Sequence, residues 1–249
     1  MDLGLRERTA IVCGASQGMG LAIAEALAAE GANVAMFARR RDVLEREAER
    51  LGALAVRGDL TSPQHVAQLV EQTLAAFGGV DVLVLNGGGP PPGTAAGLTA
   101  DAVESAVDLL LTPHVRLVEL CLPHLRASGR GRVVAIASTS VLEPIPNLVL
   151  SNTVRPGVIG WLKTLAREVA ADRITVNVIA PGRIDTERLR DLYGDAGPSA
   201  ADLEAIPAGR LGRPGEIGAV ACFLASEPAS YLTGAVIPVD GGVTHGLLA

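Results

Sequence analysis

The sequence predicts an α/β fold: a doubly wound parallel sheet of about seven strands with helices on both faces. Three observations carry that reading. Short apolar runs rich in β-branched residues alternate with longer amphipathic runs along the whole chain, the pattern of strands joined by helical crossovers. Most strand-like runs are apolar throughout instead of alternating, as strands covered on both faces must be. Glycine and proline stand mainly where the periodic runs stop, with no collagen-like period.

Taken in order, Thr9-Ala10-Ile11-Val12-Cys13 reads as the first strand. Residues 18–30 have helical spacing and stop at Gly31, a residue suited to a left-handed cap. Residues 33–37 form the second strand, 42–51 a charged helix ended by Gly52, and 54–56 the third strand. Ser62-Pro63 opens a helix with a hydroxyl cap and a proline in its first turn. Residues 80–85 are a fourth strand, 99–126 one long helix, and 132–137 a fifth strand. The next helix runs to about residue 171 and contains Pro156-Gly157. An interior proline costs about 3 kcal/mol. Two geometries stay open there: a late start capped by Asn152 or Thr153, or a continuous helix with a modest kink. Residues 174–179 give a sixth strand, 214–225 a helix and 235–239 a last strand. With no repeat and no linker, residues 1–249 read as one domain. Residues 186–211 lack periodicity and read as a lid-like insertion over a site.

Composition excludes several classes of function. Lys and Arg number 21 against 27 acidic residues, a net charge of −6 that argues against a nucleic-acid partner. No apolar run approaches the roughly 18 residues of a membrane span, and no targeting segment is recognised. Cys13, Cys121 and Cys222 are scattered without paired spacing, which predicts reduced thiols in a cytoplasmic protein. Cys13 reads as a packing residue. His65, His114, His124 and His245 show no ligand spacing, so no metal site is expected.

The first strand runs straight into Gly14-Ala15-Ser16-Gln17-Gly18-Met19-Gly20 and then a helix. Glycines there let the backbone turn tightly against a pyrophosphate, while the helix N-terminus offers N–H groups to the anion. Between a strand and the first crossover helix, the pattern points to a Rossmann-type dinucleotide site. After the second strand an acid would bind the ribose 2′-hydroxyl of NAD, whereas an arginine suits the 2′-phosphate of NADP. The residues are Ala38-Arg39-Arg40-Arg41, with no carboxylate before Asp42. NADP(H) is therefore expected through Arg39, and NAD(H) is the less favoured cofactor.

Further motifs follow in order. They are Asp59-Leu60, Asn86-Gly87-Gly88, Arg132-Val133-Val134-Ala135-Ile136-Ala137-Ser138, and Asn177-Val178-Ile179-Ala180-Pro181-Gly182 with Thr186. Leu211-Gly212-Arg213-Pro214, Tyr231-Leu232-Thr233-Gly234 and Val239-Asp240-Gly241-Gly242 complete the set. Together they resemble the short-chain dehydrogenase/reductase family, most closely its bacterial ketoacyl-reductase-type members, over essentially the whole chain. The resemblance implies that Asp59 and Leu60 hold the adenine. It implies that Asn86, Gly87, Pro181, Gly182, Ile184 and Thr186 lie along the rest of the cofactor. It also implies a homo-oligomer, tetramer or dimer, built on the helices around 99–126 and 152–171 with the apolar stretch 117–122.

By the same resemblance, catalysis uses a serine that orients the carbonyl, a tyrosine that gives the proton, a lysine four residues on and an asparagine. Ser138 matches the serine. The tyrosine and lysine positions hold Ser151 and Arg155, and the asparagine position holds Leu110. A serine hydroxyl is a far weaker acid than a phenol, and a guanidinium does not relay protons as an amine does. Arg155 can still fork onto ribose hydroxyls or a substrate carboxylate. Glu143, His114 and Tyr193 are the replacement acids within reach of this reading, and Tyr231 belongs to a structural motif.

Three functions remain open on the sequence. The first is an NADP(H)-dependent oxidoreductase of carbonyls or alcohols with a non-standard site. The second is a lyase, cyclase or isomerase on the same fold, and the third is a nucleotide-sensing binding protein. Residues 140–150 and 186–207 have few polar handles, which predicts a small-molecule substrate of hydrophobic character.

Overall fold

The computed structural model describes residues 1–194 and 197–246. Seven parallel strands make one sheet in the order β3-β2-β1-β4-β5-β6-β7. They are β1 (Thr9–Cys13), β2 (Asn33–Ala38), β3 (Leu54–Arg57), β4 (Val82–Leu85), β5 (Arg132–Ile136), β6 (Thr175–Pro181) and β7 (Val236–Val239). Between them run α1 (Gly18–Ala29), α2 (Arg41–Leu51), α3 (Pro63–Phe77), α4 (Ala100–Leu110), α5 (Thr112–Ser128) and α6 (Val149–Val169). After β6 come α7 (Glu187–Tyr193), α8 (Ala200–Glu204) and α9 (Pro214–Ala225). No described helix is long and apolar enough to cross a membrane.

Strand side chains alternate between two cores. Ile11 and Cys13 join residues of α3, α5 and α6 on one face, while Ala10 and Val12 join α1, α2 and α9 on the other. Both faces are apolar because both are covered. At the strands' amino-terminal ends, buried Arg8 and Arg132 share Glu227, at 2.9 and 3.4 Å, and carbonyls such as those of Ala225 and Ser226 accept from them.

Two expectations are corrected, on the helix over 99–126 and on the stretch 117–122, and of the two geometries left open around Pro156 the continuous helix is the one present. The helix over 99–126 is two helices, broken at Leu111 (φ −113°, ψ −60°). Pro113 stands in the first turn of α5, and its ring could not continue a helix past the carbonyl of Leu109. The helix after β5 starts at Val149, not at Asn152 or Thr153, and passes through Pro156. Asn152 is instead tied to the loop before it, accepting from the Ile145 N–H (3.1 Å) and donating to the Ile145 carbonyl (2.9 Å). The stretch 117–122 is mostly internal, with Leu117, Val118 and Cys121 buried. The insertion at 186–211 carries α7 and α8, each opened by a hydroxyl cap, Thr186 and Ser199; its residues 195 and 196 lie outside the described residues.

Candidate active site

Where the strand order reverses between β1 and β4, the carboxyl ends of the strands open into a cleft of about 540 Å³. Open α/β sheets bind ligands at that switch point. Ser16, Gln17, Gly18 and Met19 line one side, and Arg39, Asp59 and Leu60 the far end. Asn86 and Gly87 line the opposite side and Thr186 reaches in from α7. Gly14 has φ +62°, and a Cβ there would stand 2.7 Å from Asn86 Nδ2. A Cβ on Gly20 would collide with the Gly14 carbonyl. Only glycine lets the loop fold this tightly under the N-terminus of α1, whose first-turn N–H groups lack helical partners. Asn86 Nδ2 donates to the Cys13 carbonyl (3.0 Å), fastening the end of β4 to that of β1.

The three arginines after β2 have separate roles. Arg41 pairs with Glu45 on its own helix (2.8 Å), and Arg40 pairs with Glu187 of α7 (3.3 Å). Arg39 is exposed at the cleft and has no ion-pair partner among the described residues. Asp59 accepts from the Thr61 N–H and hydroxyl, both at 2.9 Å. That N–H, then the hydroxyl and Arg39, hold its carboxyl below the usual range despite partial burial.

Pro181, Gly182, Ile184 and Arg155 do not line this cleft. Pro181 ends β6, Gly182 packs against the Asp240 backbone, and Ile184 is buried and bridges to Gly212. Arg155 opens instead on a cavity with about 10 Å³ of room for a water-sized sphere, shared with Leu110, His114 and Ile136. One water needs about that much.

Beyond the end of β5 lies a chain of hydroxyls. Ser138 Oγ accepts from the Ser140 N–H (3.1 Å) and caps a short helical turn, leaving its own proton free to donate. Ser140 and Ser151 are buried, their hydroxyls 3.0 Å apart. Arg155 Nε donates to Ser151 Oγ (3.0 Å), as the four-residue helical spacing allows. Its Nη1 leans on the Ile136 carbonyl at 3.4 Å. Burial first, and then the charge of Arg188, pull the Arg155 guanidinium down to about 10, so it stays charged at neutral pH. Leu110 sits among Ala106, Leu150 and Val154, an apolar seam joining α4 to α6.

None of the replacement acids is poised at these hydroxyls. Glu143 accepts from the His245 N–H (2.6 Å) and faces its ring at 3.7 Å. Tyr193 lines a separate depression with Asp185 and Leu189. Tyr231 is fully exposed. His114 is 5% exposed and neither ring nitrogen has a hydrogen-bond partner. Burial and then Arg155 push its pKa down to about 4, so it is neutral at ordinary pH.

Two site residues fall inside the stretches 140–150 and 186–207 but are not singled out by the sequence. Nothing local marks Ser140, which the fold sets against Ser151. Arg188 lies two residues past Thr186 in a stretch without periodicity. Its guanidinium packs on Gly89 and donates to the Pro90 carbonyl (3.2 Å), reaching the opposite wall of the cleft.

The family model described as enoyl-(acyl carrier protein) reductase matches residues 14–244. The chain is 36% identical to the 3-oxoacyl-[acyl-carrier-protein] reductase MabA of Mycobacterium tuberculosis, covering 96% of this chain and 94% of that protein. It is also 36% identical to the 3-oxoacyl-[acyl-carrier-protein] reductase FabG of Escherichia coli, covering 95% and 97%. Among solved structures, L-sorbose reductase of Gluconobacter frateurii, complexed with NADPH and L-sorbose, superposes with a TM-score of 0.92 at 33% identity, covering 99% and 100%. YwfH, an NADPH-dependent reductase of bacilysin biosynthesis, gives 0.92 at 27%, covering 96% and 99%. Strand order, glycine loop and relatives agree: the chain belongs to the short-chain dehydrogenase/reductase family.

Proposed function

We propose that the protein is an NADP(H)-dependent oxidoreductase that transfers hydride between the nicotinamide and a carbonyl or alcohol substrate, using a non-standard catalytic end. The observation that carries the cofactor choice is Arg39, a cation with no ion-pair partner among the described residues, directly after Ala38, which ends β2 where an NAD enzyme has an acid. Its neighbours Arg40 and Arg41 already hold Glu187 and Glu45. The cradle Gly14–Gly20 fits the pyrophosphate, and Asp59 and Leu60 fit the adenine end. NADPH, when bound, supplies the hydride; the chain's own residues bind and orient. Ser138 presents a free hydroxyl proton to a carbonyl oxygen. Ser151 and Arg155 add a second hydroxyl and a fixed positive charge. Thr186, which reaches into the cleft from the start of α7, supports the nicotinamide end.

The substrate in this reading is a small molecule with an apolar body, because residues 140–150 offer few polar side chains. The protein works as a homo-oligomer, tetramer or dimer, in the cytoplasm, where its three buried thiols stay reduced.

Fluorescence titration with NADPH and NADH tests the cofactor reading. NADPH is expected to bind at least tenfold tighter, and Arg39→Ala to erase the difference, a charge-assisted contact of roughly 1.5–3 kcal/mol. Equal affinities in the wild type would defeat it. Tight NADPH binding without turnover on any carbonyl would favour a second reading, a non-redox enzyme or nucleotide sensor, which the missing phenol motivates.

A further inference from the structure

We infer that Arg188, in the insertion after β6, is a phosphate-binding residue that holds the pyrophosphate of the dinucleotide from across the cleft, facing the glycine loop. This rests on the dinucleotide-binding reading of the cleft and adds a residue to it.

The first support is an inventory of charge. Three arginines line the cleft: Arg39, Arg40 and Arg188. Arg40 is held by Glu187 at 3.3 Å. Among the described residues neither Arg39 nor Arg188 meets a carboxylate. Other arginines of the insertion do, Arg183 with Asp202 at 3.2 Å and Arg190 with Asp185 at 2.8 Å. NADPH carries negative charge at two separate places, the 2′-phosphate and the pyrophosphate. Arg39, with Asp59 at the far end of the cleft, answers the first. Arg188 is the cation left for the second.

The second support is position. The first turn of α7 touches three sides of the cleft. A Cβ on Gly18 would stand 3.4 Å from the Thr186 methyl, so the turn begins against the glycine loop. Glu187 reaches Arg40 beyond β2. Arg188 crosses to the wall after β4, where its guanidinium lies on Gly89 in space that a Cβ would occupy. There Nη2 donates to the Pro90 carbonyl at 3.2 Å. The turn thus spans from Gly18, at the N-terminus of α1, to Gly89. The free N–H groups of that N-terminus are the other half of the anion site.

The third support is availability. A guanidinium has five N–H donors, and Arg188 uses one of them on Pro90. Burial pulls its pKa below the ordinary value, and no carboxylate opposes that shift. A ligand anion relieves the desolvation cost. A planar fork of donors also orients the phosphate it binds, which a point charge does not.

Nucleotides that carry one anionic group at a time test the inference without turnover. Calorimetric titration would use NADPH, NADH, ADP-ribose and 2′-AMP. Arg188→Gln is expected to weaken NADPH, NADH and ADP-ribose, which share the pyrophosphate, by about tenfold each, the scale of one charge-assisted contact. It should leave 2′-AMP, which lacks the pyrophosphate, within about twofold of the wild type. Arg39→Ala should give the reverse pattern, weakening NADPH and 2′-AMP while sparing NADH and ADP-ribose. Arg188→Lys, which keeps the charge, should recover most of the loss. Unchanged affinity for all four ligands in Arg188→Gln overturns the inference. Tighter binding does so too, because Arg188 would then be a strut that shuts the cleft. An equal loss with 2′-AMP also overturns it, since the effect would not belong to the pyrophosphate. In each of these cases Arg39→Ala still reports separately on the cofactor reading. Failure of the wild type to bind NADPH at all would bring down both.

Discussion

At position 114 a neutral imidazole lies in the interior with both ring nitrogens unpaired, beside a guanidinium. Its pKa is about 4 in the folded chain against an ordinary 6.5, so the unfolded chain binds the proton more tightly. Above pH 6.5 both states are neutral and the residue makes no demand on stability. As pH falls from 6.5 through 4, the unfolded state is increasingly favoured, by on the order of 3 kcal/mol in the limit. Urea unfolding at pH 7 and pH 4.5 checks this: the wild type should lose distinctly more stability between them than His114→Leu does. Parallel losses would show that the imidazole is not the responsible group.

The element that positions the proposed catalytic end is α6. It presents Ser151 and Arg155 on one face and carries Pro156 in its third turn, solvent-exposed. Proline there removes the N–H that the Asn152 carbonyl would accept, so Pro156→Ala should restore an intrahelical bond. The expected gain is about 1–3 kcal/mol in urea unfolding. A loss would mean that the ring makes a contact worth more than a helical hydrogen bond. Before β5, the chain breaks between α4 and α5 at Leu111. Leu110 then packs on α6, and His114, one turn beyond it, faces Arg155.

On the scale of the whole molecule, the sheet gathers its chemistry at one edge. Cleft, hydroxyl chain and cavity all lie beyond the carboxyl ends of the strands, while the buried pair Arg8 and Arg132 sits at the opposite edge with Glu227. The oligomer belongs to this scale too. With Leu117, Val118 and Cys121 consumed by the chain's own core, the apolar surface left on α5 is Val115, 39% exposed, and the flanks of Leu120 and Leu122. Phe223 of α9 is also 39% exposed. Sedimentation at micromolar concentration should give a dimer or tetramer, closed symmetry being the norm; a monomer mass would refute it.

The sequence by itself determined the strand–helix alternation, the glycine loop and the arginine after β2. Each is local: period, cap and turn chemistry act over a few residues, and Gly14, Gly18 and Gly20 are legible because a backbone that must turn tightly admits little else. Its resemblance to the family also implied that Ser151, Arg155 and Leu110 stand where other residues are expected. Tertiary structure alone decided what those residues touch. Ser140 meets Ser151 across eleven positions, Arg188 reaches Pro90 across ninety-eight, and Glu143 is drawn off to His245 across one hundred and two. No periodicity encodes such distances, because they are set by how helices pack on a sheet. The same holds for the path of α6 through Pro156, where packing of Leu150, Val154, Val158 and Leu162 in the interior outweighs the local preference to start the helix later.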